Sequence, residues 1–235
     1  MKHIEIVPYC DEKFERSSWN FEIRKELETA LGVIEKQFDI RFSVLETRKW
    51  NSPYPDDMAI YPEGIVRTLE GDDIPHSLAR EALKLGLIGG DDSVEIEREM
   101  NDVLKKEGSI MYMLGFFSGR ISSFQQKGML DSLEKLHMNK NGIAIGFTGK
   151  KFCLTSADIR TALGWTSNGS NCAVIGISPK KEIIIKVIIH EMGHILGAGH
   201  SDDTDSIMFE NALKITSLMF DEQNRKLIEK NIKKL

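Results

Sequence analysis

Cysteine, proline and long apolar runs are all scarce in this chain of 235 residues. Its three cysteines, Cys10, Cys153 and Cys172, form no C-x-x-C pair, and so sparse and odd a set is not the framework of a small disulfide-stapled domain. Cross-linking is therefore excluded as the source of stability, and a reducing compartment is expected. The longest apolar-rich run, IMYMLGFF at 110–117, falls far short of the ~20 residues that span a bilayer. Residues 1–18, MKHIEIVPYCDEKFERSS, contain neither the apolar stretch nor the small-residue cleavage site of a secretory leader, so a cytoplasmic location is expected. No basic tract stands out either: 31 Lys and Arg are interspersed with 36 Asp and Glu for a net charge of -5. That balance argues against a phosphate backbone or an anionic membrane as the main partner. Three of the six prolines fall in NSPYPDDMAIYPEG (51–64), which reads as loop.

What is present suffices for a core, since 41% of the residues are hydrophobic and the chain is long enough to bury them without staples. HIEIVPY alternates as a strand does. In the following WNFEIRKELETALGVIEKQF, Phe21, Ile23, Leu27, Leu31, Ile34 and Phe38 recur near helical spacing, and DIRFSVLETRKW alternates again. A strand, helix, strand opening favours a parallel pair joined by a right-handed crossover. Helical candidates follow at IPHSLAREALKLGL, DSVEIEREMNDVLKKEG and FSGRISSFQQKGMLDSLEKLHM, so residues 56–138 read as a mainly helical insertion in a single domain spanning 1–235. The insertion either lies over a cleft or extends the core. Strand signals return at GIAIGFTG (142–149), near LGWTS, and at NCAVIGIS (171–178). Ser178 as N-cap and Pro179 at the first helical position then open a helix that is apolar around most of its circumference and ends at Gly197. A polar-faced helix, FDEQNRKLIEKNIKKL, closes the chain.

That apolar helix carries the chemistry, in HEMGHILGAGHS (190–201). His190 and His194 are four apart, so their rings project from one face and can converge on one ion. Glu191 points about 100° round the helix, where it reaches a water at the ion without being a ligand itself. Gly197, free to adopt a positive φ, can reverse the chain so that His200 returns to the same point. Three neutral imidazoles leave one coordination position of a zinc ion open, which is the mark of a catalytic rather than a closed structural site. Histidines that merely pack or cap are the competing reading, and burying His, Glu and His unpaired on one turn would be costly.

The string H-E-x-x-H-x-x-G-x-x-H, with Met208 available in SIMF after His200, resembles the metzincin clan of zinc metallopeptidases. Ser201 directly after the third histidine, and the spacing in HSDDTDSIMF, are most similar to the matrixin family. The resemblance implies an α+β catalytic domain. Its parts would be a twisted mixed five-stranded sheet, an active-site helix, a methionine turn, a C-terminal helix and, here, the helical insertion. It implies a metalloendopeptidase with one catalytic zinc on His190, His194 and His200 and with Glu191 as general base. Gly197, Ser201 and Met208 would support the site, Met208 as its apolar floor. A polypeptide substrate would lie extended along an edge strand near LGWTSNGS (163–170). No other cofactor, nucleic-acid partner or membrane partner is expected. Three features depart from matrixins: Phe209 and Glu210 replace the usual Tyr and Pro after the turn methionine, no cysteine switch precedes the domain, and 141–178 holds no histidine for a structural zinc. The additional cysteines of archaemetzincins after the third histidine are absent as well.

Two other functions stay open on the residues alone. A regulatory or interaction module could keep the fold and the zinc without proteolysis, although such a module has no use for Glu191. A structural zinc site would need a fourth ligand, for which Asp202 or Asp203 is placed. One of Asp202, Asp203 and Asp205 could instead hold a ligand histidine in its tautomer. His3, His76 and His137 lack partners at ligand spacing and read as surface or packing residues, the two GDD stretches as turns, and Cys153 and Cys172 as buried thiols.

Overall fold

The computed structural model describes residues 1–15, 22–54, 74–138, 140–150, 163–167, 169–176 and 180–234. The chain divides into two compact units, one of residues 1–52, 130–149 and 162–235, the other of residues 53–129 and 150–161. Among the described residues no helix is long and apolar enough to cross a membrane.

The first unit opens with β1 (Lys2–Asp11), the short α1 (Glu12–Glu15), α2 (Ile23–Glu35), β2 (Ile40–Val44) and β3 (Arg48–Trp50). β1 and β2 pair in parallel across α2, as the alternating segments predict. The second segment, however, breaks at 45–47 into two strands. Both run parallel to β1, β2 beside Lys2 to Ile6 and β3 beside Tyr9 to Asp11. Since β4 (Ile143–Thr148) occupies the other edge of β1 at Ile6 to Cys10, β2 and β3 share one lane. Among the described residues the sheet thus has six strands in five lanes, ordered β2-β1-β4-β6-β5. β6 (Cys172–Gly176) continues the parallel set, and β5 (Gly164–Thr166) closes it as an antiparallel outer strand.

β4 and β6 are buried along their whole length, as expected of central parallel strands covered on both faces. One face, presenting Ile4, Ile6, Ile143, Ile145 and Phe147, joins a core with Leu27, Leu31 and Ile34 of α2 and with Ile184, Ile188 and Met192 of the later helix α6. On β4 the alternate residue Gly146 faces the other way. A Cβ there would lie 2.8 Å from the Trp50 ring and 3.0 Å from Leu133, so this glycine is what lets those side chains close on the strand.

Helices α3 (Ile74–Lys84), α4 (Gly90–Glu107) and α5 (Ile110–His137) follow β3 in sequence. In the second unit Leu78, Ala82, Ile96, Met100, Met113, Phe117 and Ile121 form a core of their own. The last helices, α6 (Lys181–Ile195) and α7 (Glu222–Ile232), belong to the first unit. Ser178 and Pro179, expected to open α6, lie outside the described residues, as do Cys153 and the first GDD stretch. The minor histidines pair locally: His3 with Ser43, His76 with Glu97, and buried His137 with the Gly142 carbonyl.

Candidate metal centre

α6 is buried over Val187 to Gly193 and places His190 and His194 one turn apart on a rigid segment. It ends in a Schellman motif: Leu196 is the C-cap, Gly197 follows with φ +95°, Gly197 N–H donates to His194 O at 2.9 Å, and Ala198 N–H donates to Gly193 O at 2.8 Å. The glycine reverses the chain as its position in the motif predicts. His200 is thereby returned to the first two histidines. One donor atom from each of His190, His194 and His200 lies within 4.8 Å of the others, and the ring centroids are 4.7, 5.4 and 4.8 Å apart. Burial is graded across the trio, from His190 at 8% exposure to His200 on the surface, so the cluster opens to solvent on one side.

The hydrogen bonds decide which nitrogen of each ring faces inward. His190 Nδ1 donates to the Ile207 carbonyl at 2.9 Å, and His194 Nδ1 donates to the Ala198 carbonyl at 3.0 Å. A carbonyl only accepts, so both Nδ1 atoms carry the proton and both Nε2 atoms are bare lone pairs. These two lone pairs face each other at 3.1 Å. Burial, above all, lowers both pKa values, that of His190 to about 4, which disfavours a proton between them. What satisfies two converging lone pairs is a cation. The spacing suits tetrahedral zinc, whose bonds of about 2.0–2.1 Å to nitrogen separate neighbouring ligands by about 3.3 Å. The residues present thus fit the ion.

The carbonyl partners also correct one expectation. Asp202, Asp203 and Asp205 do not orient His190 or His194, because backbone oxygens already occupy both Nδ1 positions. Asp203 instead accepts from Asp205 N–H at 2.9 Å, and Asp205 accepts from the Thr216 hydroxyl. Neither Asp202 nor Asp203 joins the histidines as a fourth donor among the described residues.

Ile207 and Met208 form the centre of a turn closed by Phe209 N–H to Ser206 O at 3.1 Å. The turn does more than seat a methionine. Its Ile207 carbonyl orients His190, while its Met208 carbonyl accepts from Ser201 N–H at 2.9 Å and so anchors the residue after His200. Ser201 and Phe209 pair as an isolated bridge. Met208 is fully buried, and a Cβ at Gly193 would lie 2.5 Å from its sulfur, so the absent side chain at Gly193 admits the thioether against the turn that carries both helical histidines.

Glu191 is 6% exposed, and burial pushes its carboxyl up to about 8. It lies against the outer strand: a Cβ at Gly164 would be 2.5 Å from Glu191 Oε1. Sequence reasoning placed an edge strand there but missed Gly164 and Gly193, whose role depends on what packs against them. It also missed Ser206, Asp221 and Asn224, which sit behind the turn. A D-x-x-N cap signal at Asp221 was the only local trace of them.

The matrixin family model matches residues 121–231, a span that includes α6, all three histidines and the turn. No curated protein matches the chain. Among solved structures, the archaemetzincin of Methanopyrus kandleri is similar over 98% of this chain and 96% of its own, with a TM-score of 0.54 and 13% identity, a likeness of fold. The archaemetzincin of Archaeoglobus fulgidus, complexed with malonate, aligns over 95% of this chain and 99% of its own at 13% identity and TM-score 0.42. A zinc-dependent peptidase from Methanocorpusculum labreanum aligns over the same shares at 13% and 0.43. The motif, the matrixin match over residues 121–231 and the shared fold agree: the chain carries a matrixin-like region on a fold similar to that of an archaemetzincin.

Proposed function

We propose that this protein is a zinc-dependent metalloendopeptidase in which His190, His194 and His200 hold one ion and Glu191 is the general base. The observation that carries the reading is the pair of Nε2 lone pairs facing each other at 3.1 Å, each fixed by a carbonyl behind its ring. When bound, zinc supplies Lewis acidity, bringing the pKa of a water toward about 7 and polarising a carbonyl oxygen.

The protein's own groups do the rest. Glu191, buried and held between the outer strand and its helix, takes a proton from the attacking water at a carboxylate oxygen and passes it to the departing amine. β5 pairs with β6 on one side and with no strand on the other among the described residues, and along that edge an extended polypeptide would pass beside the glutamate at Gly164. Met208 and Gly193 keep the turn beneath the two helical histidines apolar and closely packed. Gly197 and Ser201 hold the loop of the third histidine.

A quenched-peptide library assay on zinc-loaded protein beside Glu191→Ala tests the reading. Cleavage by the parent and its loss in the variant, with zinc content unchanged, are expected. Equal cleavage by the two proteins would remove Glu191 from the mechanism, and zinc bound at one equivalent without cleavage would favour a regulatory module.

A further inference from the structure

The third histidine poses a problem that the first two do not. His190 and His194 ride on a buried helix, whereas His200 is an exposed residue following Gly197, Ala198 and Gly199. Two glycines in three residues leave that stretch free to adopt many conformations, so something beyond the local sequence must hold it. On the far side of His200, Ser201 N–H is held by the methionine turn at Met208 O. On the near side, Gly199 N–H donates 2.9 Å to Asn224 Oδ1, from the first turn of α7.

Asn224 is 3% exposed, and its amide has one way to face. Its Nδ2 donates to Asp221 Oδ2 at 2.8 Å, which turns Oδ1 toward Gly199. Asp221 is the N-cap of α7, accepting from Asn224 N–H on Oδ1 at 2.9 Å, and Oδ2 also accepts from the Ser206 hydroxyl at 2.6 Å. Ser206 Oγ in turn accepts from Met208 N–H at 3.1 Å. One carboxylate therefore ties together both anchors of His200, the glycine before it and the methionine turn after it. Two turns along α7, Asn231 lies on Gly197 and donates to Leu196 O at 3.2 Å. Asn224, buried Ile228 and Asn231 share a face, so α7 clamps the segment between the end of α6 and the third histidine.

We propose that Asn224, oriented by the Asp221 carboxylate, is a positioning residue for His200, and that α7 is a working part of the metal centre. The inference rests on the reading of His200 as a zinc ligand. Asn224 touches neither ion nor substrate; it acts by holding the Gly199 amide, so its removal loosens the site before any chemistry begins.

The test is zinc affinity without substrate, measured by competition against a chromophoric chelator, together with protection of the Gly199 amide from hydrogen exchange. Asn224→Ala is expected to weaken zinc binding roughly 10- to 100-fold, as loss of a partner behind the ligands does, and to expose the Gly199 amide. Asn224→Asp keeps an acceptor for that amide but replaces the donor to Asp221 Oδ2 with a carboxylate oxygen that repels it, so it is expected to weaken binding as well. Should Asn224→Ala fail to fold, Asn231→Ala removes the other half of the clamp and is expected to weaken binding severalfold. Parental affinity in whichever of these two variants folds would overturn the proposal while leaving the peptidase reading intact. A parent that binds no zinc would overturn both.

Discussion

Replacing Gly164 by alanine probes the point where the outer strand meets the proposed general base. The added Cβ would lie 2.5 Å from Glu191 Oε1, 2.6 Å from Val187 Cγ1 and 2.7 Å from Glu191 Cγ. Carbon contacts normally sit at about 3.5–4.0 Å, so something must yield by about 1 Å. Val187 is β-branched, on a helix and buried, which leaves it one rotamer. The glutamate is the group that can move. Overpacking costs about 1–3 kcal/mol, offset by about 0.4–1 kcal/mol from the lower entropy of the unfolded chain, so the fold should survive with a modestly lower Tm. Activity should suffer more. Misplacing a reacting group by about 1 Å costs about 100-fold, against about 10²–10⁴-fold for losing the base altogether. The assay is kcat/KM on a peptide selected from the library, with bound zinc measured in parallel and expected to stay near one equivalent. In a Glu191→Asp background the side chain is one methylene shorter, so the same glycine change should cost much less. A coupling of about 2–3 kcal/mol between the two sites corresponds to that 100-fold effect. Parental kcat/KM in Gly164→Ala, or losses that simply add in the double variant, would refute the placement of Glu191 against the strand.

Three further outcomes follow from the same geometry. Met208→Ala removes a fully buried side chain packed on Gly193; chemical denaturation should show a loss of about 2–5 kcal/mol, and a loss under about 1 kcal/mol would contradict that packing. At Asp221, burial acts to raise the pKa, but hydrogen bonds from Ser206, from Asn224 and from Ser201 outweigh it, and the net shift is downward. A lowered folded-state value means that the carboxylate contributes stability above the unfolded pKa of about 3.9, lost as pH falls through the folded value. Asp221→Asn should therefore be less stable than the parent at neutral pH, and the difference should shrink under acid; a pH-independent difference would contradict the linkage. Cys10 and Cys172 are buried thiols whose pKa values burial pushes up to about 12, so both should resist alkylation in the native protein and react only on unfolding.

The candidate site was legible in sequence because its residues are local. His190, Glu191 and His194 fall on one helical turn, and Gly197 marks that helix's end through a conformational freedom that no neighbour has to supply. The opening strand, helix and strand were likewise visible as a change of period, whereas the strand near Trp165 left only a slight signal and its place at the edge came from the family resemblance. The break of the second strand at 45–47 left no comparable mark, since a lane shared by two strands is decided by what lies alongside. The acidic loop after His200 misled for a related reason. Carboxylates near a histidine in sequence look like its partners, yet backbone carbonyls of Ile207 and Ala198 reached both rings first.

Helical periodicity and a backbone reversal act within a few residues, and so the sequence alone specified three imidazoles, a carboxylate and the turn that gathers them. Tertiary packing decided which nitrogen of His190 faces inward, where Glu191 rests, and what steadies His200. Each of those depends on groups from distant positions: the Ile207 carbonyl 17 residues from His190, Gly164 under Glu191, and Asn224 25 residues from Gly199. Hydrogen bonds and close contacts of that kind exist only after the chain has folded back on itself, which is why no local pattern announces them.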